Sequence, residues 1–321
     1  MTGGAPLPMA GGSLRPPDGS PPPEVVALFG PTGVGKTDVA VALADLLRVR
    51  GERPIAISAD ALQVYRGLEK LTGAAGRREQ TRLEHRLLSF LPLRHAFSVG
   101  EFMPLAHAEI DAALGAGRRP IVVGGTGLYL RAALTDLDLK PPPPPELRAR
   151  IEAEMERSGP HAMHAALAER APSAAAGIEP GDRSRIVRAL ELAELGEADE
   201  GRPAESQLWT ATTRRPTLLF GLTIEREELY RRIGARVDAM VAGGAADEVR
   251  RADAAGASRT ARKALGFDDL LSGDAEAMKR HTRNYAKRQL TWMRKLAGAR
   301  LVDVSRRTPV EVAAEIAAVL A

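Results

Sequence analysis

Residues 25–40 constrain this chain more than any other stretch: VVALFG, GPTGVGKT and DVA are separated by nothing. Residues 30–37 satisfy G-x-x-x-x-G-K-[ST], behind a short apolar segment and ahead of one with helical spacing, the context in which that motif binds phosphate. Glycine at 30, 33 and 35 admits backbone angles closed to other residues, so successive N–H groups can converge on an anion. A helix starting near Lys36 adds the positive end of its dipole, Lys36 adds a full charge, and Thr37 offers a hydroxyl to Mg²⁺. Pro31, Thr32 and Val34 complete the expected diphosphate-binding loop. A nucleoside triphosphate and any other diphosphate ester look alike to such a loop.

Residues 38–50 repeat apolar side chains at helical spacing (Val39, Leu43, Leu46, Leu47), Gly51 ends the run, and RPIAISAD reads as a second strand. Strand, helix and strand at this length imply a right-handed crossover and a parallel sheet, with ligands beyond the carboxyl ends of its strands. Asp60 stands at such an end and has three readings: helix N-cap, magnesium ligand or proton acceptor. Residues 67–98 read as basic and loop-rich, and the two histidines there, His85 and His95, are expected at the surface rather than on a metal. Residues 102–114 read as a helix and IVV as a third buried strand. GGTG (124–127) then lets backbone approach a ligand and aims Thr126 at the phosphate crevice; the plainer reading is a glycine turn that holds nothing.

Five prolines, 141–145, mark a boundary. Residues 146–170 and 183–195 read as helices rich in Ala, Leu, Glu and Arg, after which RRPTLLFGLTI returns as a strand. The expected fold is therefore α/β, a P-loop NTPase-like parallel sheet flanked by helices, with a small all-helical domain inserted. Its core covers 24–140 and 206–321, its insertion 141–205, and residues 1–23, with seven prolines and five glycines, read as a disordered tail. In the helix after the returning strand, Leu229, Ile233, Val237 and Met240 form a stripe. Arg236 lies at its edge, either laying its stem on the core or pointing into a pocket.

Cysteine is absent, which excludes disulfides and thiolate-held zinc. No apolar run reaches the roughly 18 residues of a membrane span, and the N-terminus lacks the order of a signal peptide, so a cytoplasmic monomer is expected. Net charge is +4, yet residues 279–300 alone hold eight Lys or Arg and no acid, so the basicity is a patch. At 100° per residue Arg280, Arg283, Lys287 and Arg294 fall on one side of a helix and Tyr285, Trp292, Met293 and Leu296 opposite. That one-sidedness suits contact with a nucleic-acid backbone; the plainer reading is a solvated face.

With these residues in view, the chain resembles the bacterial tRNA dimethylallyltransferases, or tRNA isopentenyltransferases. The resemblance is carried by GPTGVGKT (30–37), ISADALQVYRG (57–67), FSVGEF (97–102), PIVVGGTGLYLRAAL (120–134), IEPGDRSRIVRALEL (178–192), KALGFDDL (263–270) and RNYAKRQLTWMRK (283–295). It implies transfer of a dimethylallyl group from dimethylallyl diphosphate to N6 of the adenosine 3′ of the anticodon, position 37, giving N6-(dimethylallyl)adenosine. By resemblance the loop holds the prenyl diphosphate with Mg²⁺ at Thr37, Asp60 is the general base, and Thr126 and Arg236 contact the diphosphate or transition state. The segments similar to tRNA-contacting regions carry Asp60, Ala61, Leu62 and Gln63, then Thr126 and Arg148. They continue through Ser184, Arg185, Ile186, Val187 and Arg188, then Arg262, Lys263, Gly266 and Phe267, and end in Lys287, Arg288, Gln289, Trp292 and Arg294. The chain departs from the family pattern at Ala61, usually serine, at LTGAA (71–75), at EHRLLS (84–89) and at Phe267.

The chemistry fits the residues. Adenine N6 is a poor nucleophile because its lone pair is delocalised, so a nearby carboxylate that takes its proton helps, while loop amides, Lys36, Thr37 and Arg236 stabilise the leaving diphosphate. The reacting base has to leave its stack. Two rivals use the same loop: a nucleotide or small-molecule kinase with Arg183, Arg185 and Arg188 as lid residues, and a nucleotide-switched RNA-binding protein without covalent chemistry.

Overall fold

The computed structural model describes residues 22–198 and 207–320. The expected tail falls almost wholly on residues 1–21, outside them, as does the return boundary expected at 205–206. The chain divides into two compact units, Asp138–Gln207 and the remainder.

The larger unit is built on six parallel strands: β1 Val25–Phe29, β2 Pro54–Ser58, β3 His85–Arg86, β4 Arg119–Gly124, β5 Thr217–Thr223 and β6 Arg300–Asp303, ordered β3-β2-β4-β1-β5-β6. β1, between β4 and β5, is apolar and buried at every residue because helices cover both faces of such a sheet. Alternate residues Val26, Leu28, Ile121, Phe220 and Val302 belong to one buried cluster with Val39, Leu43 and Leu47 of the helix Lys36–Val49 and Val312 and Ile316 of the helix Pro309–Val319. Each such aliphatic contributes about 1.5–3 kcal/mol by leaving water.

Phe29 pairs in register with Gly124 on β4 and with Gly221 on β5. The loops after β1, β2 and β4 therefore open at the same edge of the sheet. Connections leave β1 toward β2 on one side and reach β5 on the other, which makes the end of β1 the switch point where such sheets bind ligands. The helix Val99–Gly115 starts earlier than its apolar pattern, because Ser98 and Glu101 form a reciprocal capping box.

The region 67–98 is more structured than its composition implied, holding two short helices, Glu69–Thr72 and Arg77–Arg82, besides β3. His85 bonds the Leu83 carbonyl and His95 bonds Glu101, and neither reaches the crevice.

The smaller unit is helical. The run Pro145–Arg170 breaks at Gly159 (φ 77°), ahead of Pro160, whose ring disfavours helix in the residue before it. Its core joins Ile151, Met155 and Leu167 to Ile186, Val187 and Leu190 of the helix Arg183–Glu194.

Candidate active site

The site lies in the larger unit. After β1 the chain turns through Gly30–Gly35, and Gly35, in the left-handed region at φ 97°, delivers Lys36 as the first residue of its helix. Lys36 Nζ donates to the carbonyls of Gly30 (2.8 Å) and Pro31 (3.0 Å). Burial lowers its pKa to about 8, Asp60 opposing and Arg236 adding to the shift.

A cavity of about 150 Å³ opens over this loop. Its polar wall includes Thr32, Lys36, Thr37, Asp38, Asp60 and Arg236. Asp60 accepts from the N–H groups of Leu62 (2.9 Å) and Gln63 (3.3 Å), both on Oδ1, so it caps a turn rather than a helix. Oδ2 has no protein partner among the described residues. Arg236 takes the second of its two readings: it lines the cavity and its Nη2 donates to the Gly73 carbonyl at 3.3 Å. Burial lowers its pKa, while Asp38 and Asp60 pull it back up. The same burial raises the pKa of Asp38, whose strongest charged neighbour is Glu79. Cations and carboxylates thus face one another across a space that a diphosphate and its counter-ion can enter.

Thr126 and Gln289 lie elsewhere than expected, whereas Trp292 docks inward on the side that its pattern gave it. Thr126 stands at the N-cap position of the helix Gly127–Leu134 without a capping hydrogen bond; its hydroxyl instead meets Tyr285 Oη at 3.4 Å, reaching the site through that phenol rather than lining the cavity. Gln289, grouped by resemblance with RNA contacts, is buried with both amide ends turned inward. Oε1 accepts from Thr32 N–H (2.8 Å) and Nε2 donates to the Gly125 carbonyl (2.7 Å), fastening the loop after β1 to the loop after β4. Trp292 packs on Gly127, where a Cβ would come within 2.1 Å of the indole, so this glycine admits a protein ring rather than a ligand.

Pattern reading missed part of the cavity wall. Tyr285 and Thr282 line it from the helix Ala275–Met293, and Leu71, Met240, Leu265 and Met278 form its apolar side. The departure from the family pattern at 71–75 falls on this wall, since Leu71, Thr72 and Gly73 border the cavity. The buried stripe Met278, Thr282, Ala286, Gln289 and Met293 contains two polar residues that hydrophobic periodicity assigns to the surface.

The basic patch is partly neutralised. Lys279 pairs with Asp238 and Glu276, and Arg280 approaches Asp274 at 3.6 Å. Lys287, Arg288 and Arg294 have no acidic partner among the described residues; Arg288 lies over the Tyr285 ring at 5.5 Å. Of the 262–267 group, Arg262 pairs with Asp253 and stacks on Phe267, Gly266 and Phe267 are buried, and Lys263 is exposed.

In the smaller unit the expected RNA contacts separate. The Ile186 and Val187 side chains are buried in its core, while Ser184 and Arg185 are exposed. Arg148 forks onto fully buried Glu191 (2.8 and 2.9 Å), and Arg188 reaches the same carboxylate and the carbonyls of Lys140 and Pro141.

Among the described residues no three His, Cys, Asp or Glu side chains gather into a metal cage, and no helix is long and apolar enough to cross a membrane. A family model described as IPP transferase matches residues 63–296. The tRNA dimethylallyltransferase of Kineococcus radiotolerans is 43% identical over 289 residues, 86% of this chain and 90% of that one. That of Thermobifida fusca is 41% identical over 282 residues, 84% and 87%. The crystal structure of the full-length tRNA isopentenylpyrophosphate transferase of Bacillus halodurans superposes with a TM-score of 0.65 at 32% identity, covering 92% of this chain and 96% of that one. A eukaryotic dimethylallyltransferase acting on tRNA shares the fold, with a TM-score of 0.73 at 23% identity. A glycine loop that closes on its own lysine, a carboxylate across the cavity from it and relatives alike over nearly their whole length lead to one conclusion: the chain belongs to the IPP transferase family of tRNA dimethylallyltransferases.

Proposed function

We propose that the enzyme transfers a dimethylallyl group from dimethylallyl diphosphate to N6 of the adenosine 3′ of the anticodon, position 37 of tRNA. The observation that carries this reading is the meeting of the phosphate loop, Lys36, Arg236 and Asp60 in one cavity. The diphosphate lies on the loop amides between the Lys36 ammonium and the Arg236 guanidinium. The base, unstacked from its loop, brings N6 to the Asp60 side.

The N6 lone pair forms the new bond to C1 of the prenyl group as the C1–O bond breaks and its electrons leave with the diphosphate. The N6 proton passes to Asp60, whose Oδ2 is open to receive it because both turn hydrogen bonds fall on Oδ1. Thr126 acts through Tyr285, holding that phenol against the reacting base. The Thr37 hydroxyl and the Asp38 carboxylate, both on the cavity wall, are the sparse oxygens that would suit Mg²⁺, an ion that keeps several waters and takes further ligands from phosphate. Bound there, Mg²⁺ supplies charge neutralisation for the departing diphosphate. Lys287, Arg288 and Arg294 meet the RNA backbone, with Lys263, Ser184 and Arg185 as further exposed contacts.

The test is incubation of purified protein with dimethylallyl diphosphate, Mg²⁺ and unmodified tRNA, followed by digestion and mass analysis. The expected product is an adenosine heavier by one C5H8 unit. Phosphoryl transfer from ATP without that product would overturn the reading.

A further inference from the structure

We propose that Glu248 is a positioning residue for diphosphate binding, acting on Arg236 through the short helix Glu69–Thr72. The inference rests on the assignment of Arg236 to the diphosphate under the proposed function.

Glu248 is 5% exposed, an unusual place for a carboxylate unless its oxygens are satisfied. They are: Oε1 accepts from Lys70 N–H at 3.1 Å and Oε2 from Leu71 N–H at 2.8 Å. Lys70 and Leu71 are the second and third residues of the helix, whose N–H groups an N-cap side chain normally takes. The N-cap here is Leu68, which has no acceptor. A four-residue helix with no side-chain cap at its N-terminus has little to hold that end, since its one turn repays almost none of the entropy of forming it. Glu248, 178 residues beyond Lys70, supplies the cap from the helix Ala245–Ala254.

What the clamp holds is the seat of Arg236. The short helix ends at Gly73, left-handed at φ 58°, and the Gly73 carbonyl accepts from Arg236 Nη2. The approach is so close that a Cβ on Gly73 would lie 1.7 Å from that nitrogen. Leu71, Thr72 and Gly73 line the cavity beside Arg236, so a shift of the helix moves both wall and guanidinium. Burial favours protonation of Glu248, and the two N–H bonds oppose it.

The experiment measures inorganic pyrophosphate binding by calorimetry and tRNA binding by fluorescence, using the full chain. Glu248→Gln keeps the volume but puts an amide nitrogen, which cannot accept, in place of one of the two oxygens that each take an N–H. It is expected to weaken pyrophosphate binding about tenfold, the effect of one lost hydrogen bond to a charged acceptor, with tRNA affinity unchanged. In an Arg236→Ala background the Glu248→Gln effect is expected to vanish, which a general loss of stability would not produce. Gly73→Ala, which displaces Arg236 without touching Glu248, is expected to reproduce the loss, and it serves if Glu248→Gln fails to fold. Equal losses in pyrophosphate and tRNA binding, a Glu248→Gln effect that persists in full beside Arg236→Ala, or unaltered pyrophosphate binding in Gly73→Ala each overturn the inference. If Arg236→Ala itself leaves pyrophosphate binding intact, the inference falls together with the assignment of Arg236; if Arg236→Ala weakens it and Glu248→Gln does not, the inference falls alone.

Discussion

The Nζ of Lys36 donates to the carbonyl of Gly30 at 2.8 Å, so the lysine of the phosphate loop is folded back onto the loop that presents it. Burial holds its pKa down at about 8, so in the free enzyme its charge is lost at mildly alkaline pH. A bound diphosphate favours the charged form. Below pH 8 the ammonium is ready; above it, binding has to take up a proton. Pyrophosphate affinity is therefore expected to fall by up to about tenfold per pH unit above 8, with proton uptake visible when calorimetry is repeated in buffers of different ionisation enthalpy. The same shift acts on folding with the opposite outcome: the unfolded chain binds the proton more tightly, so this group's contribution to stability rises with pH from about 8 to the ordinary lysine value of 10.5.

Asp60→Asn keeps an oxygen to accept from the Leu62 and Gln63 N–H groups, so it removes the charge while leaving the turn in place. Single-turnover rates are expected to fall by roughly 10²-fold or more with tRNA affinity retained. An unchanged rate would remove Asp60 from the proton transfer.

Gln289→Ala strips the Thr32 N–H and the Gly125 carbonyl of their partner at once. Thermal or denaturant unfolding should report a loss of about 1–3 kcal/mol per group left unsatisfied. The KM for the prenyl donor is expected to rise while tRNA affinity stays the same. A selective loss of tRNA binding would instead return Gln289 to the RNA surface.

Lys287 and Arg288 carry no acidic partner among the described residues, unlike Lys279 earlier on the same helix. Replacing both by Ala is expected to flatten the dependence of log K for tRNA on log salt by roughly 0.7 to 0.9 per charge removed. A slope identical to that of the unaltered protein places the RNA elsewhere.

Apolar runs and glycines made β1, β2, β4 and β5 legible in the sequence, along with the loop and the helical insertion, because each couples hydrophobic period to a punctuating turn. β3 has two residues and β6 has an exposed pattern, too little for periodicity to register. The site was read less completely for a different reason. Gln289 and Thr282 are polar residues buried by hydrogen bonds to backbone, and a wheel that sorts by hydrophobicity sends them to solvent. Ile186 and Val187 lie within a stretch that resembles RNA-contacting regions, yet their side chains pack inside the smaller unit, as apolar residues on a helix between charged ones do. Glu248 left no signal at all, since its partners are main-chain N–H groups 177 and 178 residues away.

The fastening of Thr32 by Gln289 joins positions 257 residues apart. During synthesis the glycine loop emerges early and its latch late, so Thr32 N–H and the Gly125 carbonyl are made long before the side chain that joins them. Contacts of such long range are among the last that folding rewards. The anion pocket is thus complete only with the helix that carries Gln289 in place, and a loop that looks local in the sequence is a property of the whole α/β unit.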